Sequence, residues 1–118
     1  MKFSNELAKL DCAVALERLG GDEELLREVA GLFLDEYPLL MGEIRKAAMS
    51  RDAEALQRAA HSMKGSVSNF GASGVYQAAF ALEKKGRAGD LDELNPCIDL
   101  LESALENIRP ALQELAAG

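Results

Sequence analysis

Apolar residues recur at three- and four-residue steps along four long stretches of the chain, the spacing expected for the buried face of an amphipathic helix. In about residues 22–49 this stripe consists of Leu26, Val29, Phe33, Tyr37, Leu40, Ile44 and Ala47. In about residues 52–70 it consists of Ala53, Leu56, Ala60, Met63, Val67 and Phe70. In about residues 72–86 it consists of Ala72, Val75, Ala79 and Leu82. In about residues 91–116 it consists of Leu91, Leu94, Ile98, Leu101, Leu105, Ile108, Leu112 and Leu115. Four such helices joined by short loops predict an all-α fold, an antiparallel up-down four-helix bundle.

A shorter apolar segment, about residues 11–19, precedes these stretches and stops at Gly20-Gly21, which indicates a short additional helix with a glycine end. We expect it to cover one end of the core. Asp22 and Asp52 stand where N-cap residues of the first two long helices belong. The third helix closes with lysines and then Gly86, cations and a glycine being typical of a helix C-terminus.

Prolines bear on the ends of two of the long helices. Pro38 lies inside the first stripe, but the apolar phase continues across it, so we expect a kink and not a stop. The last helix has two candidate starts: Leu91, where the apolar pattern begins, and Asn95-Pro96, an N-cap residue followed by proline at the first helical position. Pro110 should bend or fray the end of that helix.

Composition agrees with a single helical domain over residues 1–118. Thr and Trp are absent and aromatic residues make up only 5%, which favours helix over strand. A net charge of −7 disfavours nucleic acid and anionic membranes as partners, because their phosphates would be repelled on average, but the average leaves room for a local basic patch. The two cysteines, Cys12 and Cys97, lack CxxC spacing. The first ten residues lack the long apolar stretch of a signal peptide, and no run of apolar residues is long enough to span a membrane. We therefore expect a cytoplasmic protein with free thiols.

His61 is the only histidine, and a projection at about 100° per residue turns it away from the apolar stripe of its helix. No second histidine and no nearby cysteine accompanies it, so a metal site is not expected. His61 is then either an ordinary surface residue or an exposed nucleophile or base. Its half of the helix also carries Gln57, Arg58, Lys64, Gly65 and Ser68.

Two of these neighbours favour the second interpretation. Glycine inside a helix costs about 1 kcal/mol relative to alanine, and Gly65 leaves out a side chain one turn from the imidazole, where another molecule would approach. Lys64 lies three residues after His61, from where its ammonium can reach an anionic group attached to the ring. Together these residues predict a docking surface for a group in transfer.

At these residues the sequence resembles the histidine phosphotransfer (HPt) domain family of bacterial multistep phosphorelays. The family's motif is a histidine, two residues, Lys-Gly, and later Gly-Ala, matched here by His61-Ser-Met-Lys64-Gly65 and Gly71-Ala72. The resemblance covers roughly residues 10–112. It implies a phosphoryl carrier without its own ATP-binding kinase domain, and the chain has no Gly-rich phosphate loop.

The resemblance also implies the partners and the residue roles. A receiver domain of a response regulator or hybrid sensor kinase would exchange phosphoryl groups with His61, with Mg²⁺ bound in the receiver and no cofactor in this chain. Lys64 would contact the phosphoryl group, and Gly65 would provide clearance. Gln57, Arg58 and Ser68 are our candidates for contact with the receiver, and we expect the protein to be a monomer.

Members of the family often place a Glu or Gln on the next helix to orient the imidazole, and the matching position here is Glu83. At about 1.5 Å per residue, His61 lies about 15 Å and Glu83 about 18 Å from the Gly71 turn, so an antiparallel pair brings them nearly level. Two other functions are considered: a helical adaptor that binds a receiver or kinase by the same face without phosphorylation, and, less favoured, an enzyme with His61 as general base.

Overall fold

The computed structural model describes residues 9–118, and in that part of the chain every regular element is a helix. A short helix α1 precedes four long helices, as the apolar pattern predicts. The single-domain prediction also includes residues 1–8, which lie outside the described residues. The helices are α1 (Cys12–Arg18), α2 (Glu23–Ser50), α3 (Ala53–Ser68), α4 (Ser73–Ala88) and α5 (Leu94–Ala117).

The long helices form a bundle in which each packs against two neighbours. Helix α3 lies between α2 and α4, and α5 closes the bundle by contacting α2 and α4. The predicted apolar stripes point into the single core between them. All stripe residues are buried except Val29, Ala53 and Leu91, which are half-buried.

Aspartate residues are the N-caps of three helices. Their side chains accept hydrogen bonds from backbone N–H groups that have no partner within the helix. Asp22 Oδ1 accepts from Leu25 N at 3.0 Å, and Asp52 Oδ1 accepts from Ala55 N at 3.0 Å. Both N-caps were predicted. Asp11 caps α1 in the same way, through a 3.1 Å bond from Val14 N.

The predicted ends of α4 and α5 need correction. Gly86 does not end α4, which continues to Ala88 and closes at Gly89 in the left-handed conformation. Both predicted starts of α5 are wrong: the helix begins at Leu94, three residues after Leu91, so Asn95 is not its N-cap. Asn95 and Pro96 both lie in its first turn, where proline is tolerated since N–H groups there lack helical partners in any case.

The other two prolines lie inside continuous helices. Pro38 is exposed within α2, which runs on for twelve residues to Ser50, so the prediction that it does not stop the helix is confirmed. Helix α5 also passes through Pro110 and remains helical to Ala117. Fraying at Pro110 is therefore wrong, while a bend there stays a prediction. Both prolines are exposed, so water can satisfy the carbonyls that their missing N–H groups leave free.

Helix α1 covers the bundle end at which α3 turns into α4. Asp11 N donates to Phe70 O at 2.8 Å, and Arg18 donates to Ser68 O at 3.0 Å. Gly71 makes this approach feasible: its φ is +64°, and a Cβ there would lie 2.4 Å from the Asp11 Cβ. The turn is thereby fixed on one side, and the α3–α4 pair that carries the candidate site starts from it.

Candidate functional site

The site is formed by α3 and α4, and Gly86 allows these helices to approach closely. A Cβ on Gly86 would lie 2.7 Å from Gln57 N and 2.8 Å from Ala53 O, so it would clash with the backbone of α3. Gly86 is buried, and Glu83 lies one turn before it on the same side of α4. Because the helices pack closely at Gly86, Glu83 lies near the turn of α3 that contains His61.

The structure brings His61 and Glu83 together. His61 Nδ1 lies 2.8 Å from Glu83 Oε2, while 68% of the histidine side chain stays exposed. Glu83 is the only buried charged residue within 9–118, with 1% of its surface accessible. A buried carboxylate thus holds one edge of the ring, and the opposite edge faces solvent.

Two cations share the other oxygen of that carboxylate. Lys64 Nζ lies 3.1 Å and Arg87 Nη2 lies 2.9 Å from Glu83 Oε1. A buried charge is costly without partners, and here Glu83 has three polar contacts from two helices. Lys64 is mostly buried and Arg87 largely exposed, so the cluster extends from the α3–α4 interface to the surface.

Opposing effects act on the pKa of the Glu83 carboxyl. Burial alone would raise it, but hydrogen bonds and charge from His61 and Lys64 together bring the pKa below its ordinary value of 4.5. Glu83 is therefore ionised at neutral pH and can only accept hydrogen bonds. The proton between His61 and Glu83 consequently belongs to Nδ1, which leaves the lone pair of a neutral ring on the exposed Nε2.

Aromatic rings support the cations beside Glu83. The Nζ atoms of Lys64 and Lys84 lie 4.7 and 4.6 Å from the ring centroid of Phe80, within cation–π range. Tyr76 is farther from Lys64, at 5.9 Å. Two ammonium groups thus contact Phe80 on the α3–α4 pair, which also contains His61.

The remaining predicted residues surround this cluster on α3. Gly65 is exposed, and a Cβ there would meet nothing within 4 Å. Ser68 is half-buried and bonds back to Gly65 O at 2.7 Å. Arg58 is exposed and paired with Glu54 at 2.9 Å, while Gln57 is half-buried against α4. Open space therefore adjoins His61 on the Gly65 side.

Sequence reasoning missed two members of the site, Arg87 and Phe80. The Glu83–Arg87 spacing of four residues is a known helix pairing and could have indicated the first. Phe80 gave no comparable signal, since its role depends on where two lysine side chains turn. No group of three or more potential metal ligands occurs within residues 9–118. In the same range no helix has the length and apolar character needed to cross a membrane.

Comparison with known proteins yields a family and a fold relative. The model of the Hpt domain matches residues 28–111. The crystal structure of histidine-containing phosphotransfer protein B (HptB) from Pseudomonas aeruginosa PAO1 superposes with a TM-score of 0.84 and 25% sequence identity, over 92% of this chain and 95% of that one. No curated protein sequence gives a significant match. Because the family model spans most of the bundle, including the helices of the His61–Glu83 pair, the chain belongs to the Hpt domain family, whose members carry phosphoryl groups on histidine in phosphorelays.

Proposed function

We propose that His61 accepts a phosphoryl group from the aspartyl phosphate of a receiver domain and passes it to the aspartate of another. One observation carries this proposal: a buried, ionised Glu83 holds Nδ1 of an exposed imidazole at 2.8 Å. An imidazole held in this way presents Nε2 as an oriented nucleophile, so the entropic cost of aligning it is met before the partner arrives.

In the transfer step, the Nε2 lone pair attacks phosphorus in line with the bond to the aspartate oxygen. The Nε2–P bond forms as the P–O bond breaks, and the carboxylate of the receiver leaves with the bonding electrons. The Nδ1–H proton stays on the ring, which gains positive charge as the new bond forms. Glu83 then stabilises that charge through the existing hydrogen bond, a contribution that grows towards the transition state.

Lys64 and Gly65 act on the phosphoryl side in this proposal. The Lys64 ammonium has three donors and uses one on Glu83 at 3.1 Å, so it can also donate to a phosphoryl oxygen on Nε2. The open space at Gly65 admits the surface of the partner close to the ring. Gln57, Arg58 and Ser68 lie around the approach and would contact the receiver, whose own Mg²⁺ would supply the rest of the charge stabilisation.

The test is phosphoryl transfer from labelled receiver domains encoded by the same genome, each offered to the purified protein and its variants. Since His61 is the only histidine, phosphohistidine, which is stable in base and lost in acid, can form only there. We expect wild type and Lys46→Gln, a control on α2, to take up such label, and His61→Gln to fall to background. Equal uptake by His61→Gln would disprove the mechanism.

The same experiment distinguishes the alternative function of a helical adaptor. An adaptor would bind a receiver through the α3–α4 face but would acquire no acid-labile label. Tight binding that His61→Gln leaves unchanged, together with absent labelling of wild type, would therefore favour the adaptor over the carrier.

A further inference from the structure

Charge is distributed unevenly between the two halves of the bundle. Helices α3 and α4 together carry five basic and two acidic residues, whereas α2 and α5 carry four basic and ten acidic ones. All ten acidic side chains on α2 and α5 are exposed. The net charge of −7 thus conceals a pair of helices with a positive excess, and His61 lies in that pair.

Ion pairs within the basic half show where its excess charge lies. Arg58 is balanced by Glu54, and Lys85 is balanced by Asp90 in the following loop. What remains is three cations and one buried carboxylate, the carboxylate that binds His61. Two of these cations, Lys64 and Arg87, bind Glu83, and the third, Lys84, shares the Phe80 ring with Lys64.

From this arrangement we infer that the α3–α4 face is an electrostatic docking surface for a partner whose contact surface is acidic, and that the acidic α2–α5 half orients the protein during approach. The inference rests on the proposed function and specifies the partner: a receiver with an excess of carboxylates around its phosphorylated aspartate. Such a partner is attracted to the helices that bear His61 and repelled by the opposite pair, which raises the rate of productive encounters.

Lys84 provides the sharpest probe of this surface. Its ammonium contacts the ring of Phe80 and forms no bond to His61 or Glu83, so it lies outside the proposed transfer machinery. Lys46 is a matched control: it is an exposed lysine on α2, in the acidic half. Lys84→Glu and Lys46→Glu change the net charge by the same amount but reverse charge in opposite halves.

The experiment measures second-order transfer from the phosphorylated receiver that labels wild type fastest, at ionic strengths from about 0.02 to 0.5 M. We expect the wild-type rate to fall about tenfold or more across this range, since screening weakens steering. At the lowest ionic strength Lys84→Glu should be about three- to tenfold slower and Lys46→Glu nearly unchanged, with the maximal rate at saturating receiver the same in all three.

Two results would overturn the inference: a rate that does not depend on ionic strength, or equal effects of the two substitutions. Either would leave the proposed function intact, because His61 would still be labelled. Failure of the proposed function would appear differently, as absence of acid-labile label on wild type at every ionic strength.

Discussion

At the scale of single residues, Glu83 links folding to the proposed chemistry. Its carboxylate is buried, yet three side chains from two helices contact it, and the two contacts from α3 exist only in the folded protein. The same bonds that offset its desolvation also fix the tautomer of His61. Stability and nucleophile orientation should therefore respond together when this residue is changed.

The lowered pKa of Glu83 makes its contribution to stability dependent on pH. Because the folded-state pKa lies below 4.5, the unfolded state takes up the proton first as the pH falls. The stabilisation is therefore complete above the ordinary pKa and is lost as the pH falls through the folded-state pKa. We expect the free energy of unfolding of wild type to exceed that of Glu83→Gln most above about pH 5 and the difference to shrink towards pH 3.

Urea unfolding at pH 7, 5, 4 and 3 measures this difference directly. Glu54→Gln serves as control on the same face, because that carboxylate is exposed and solvated in both states. A gap between wild type and Glu83→Gln that stays constant or widens towards low pH would contradict the assignment of Glu83 as a stabilising anion.

The residue-level features that followed from sequence were those fixed by helix geometry. The outward direction of His61 required only a rotation per residue, whereas Glu83 was chosen from the family resemblance and its level position was then supported by the rise per residue. The sharing of Glu83 Oε1 by Lys64 and Arg87 did not follow, since both are long side chains whose torsions are set by neighbours. The sequence could place Lys64 in the site, but it could not predict which atoms Lys64 contacts.

At the scale of elements, the periodicity located every helix, but the turns set their ends. Gly86 is the informative case: a glycine after two lysines is typical of a C-terminus, whereas here it is a contact point between two helix backbones. Sequence alone cannot separate these uses, because both require the absence of a Cβ. The same limit applies to Asn95, which resembles an N-cap residue in the sequence but lies inside α5, after the left-handed Glu93 and Leu94.

Gly86→Ala should destabilise the protein although alanine is the better helix former. The new Cβ would lie within 2.9 Å of three backbone atoms of α3, so the two helices must separate. We expect a net loss of about 1–3 kcal/mol in the free energy of unfolding, the usual cost of overpacking. Urea denaturation measures it, and slower phosphoryl transfer should accompany it as Glu83 withdraws from His61.

Gly65→Ala is the matched control on α3. Nothing lies within 4 Å of its added Cβ, so this variant should be more stable than wild type by up to about 1 kcal/mol. Opposite signs for the two substitutions distinguish a packing glycine from a clearance glycine. Equal changes in stability would mean that helix propensity, and not the close packing of α3 and α4, determines how Gly86→Ala changes the free energy of unfolding.

At the scale of the whole molecule, the bundle follows from the four apolar stripes, but the distribution of charge depends on which helices are neighbours. Helices α2 and α5 are far apart in sequence, and their acidic residues meet only because these two helices pack side by side. Arg45 on α2 pairs with Asp99 and Glu102 of α5, so its cation offsets part of that acidic charge. The average charge of −7 left room for a local basic patch but could not locate it, because its place depends on this packing.

This charge distribution predicts that salt acts on folding and on docking with opposite signs. Ten exposed carboxylates repel one another across α2 and α5, and screening relieves that repulsion in the folded state. We expect the free energy of unfolding to rise by an amount on the order of 1 kcal/mol between about 0.02 and 0.5 M NaCl, while transfer from the receiver slows.

Arg45→Ala should increase this salt-dependent gain in the free energy of unfolding, because it leaves the carboxylates of α5 uncompensated. Arg58→Ala, which removes a cation from the basic half, should not. Urea titrations at the two salt concentrations compare these variants, and a stability that falls with salt, or equal gains for both, would show that repulsion between α2 and α5 does not limit the fold.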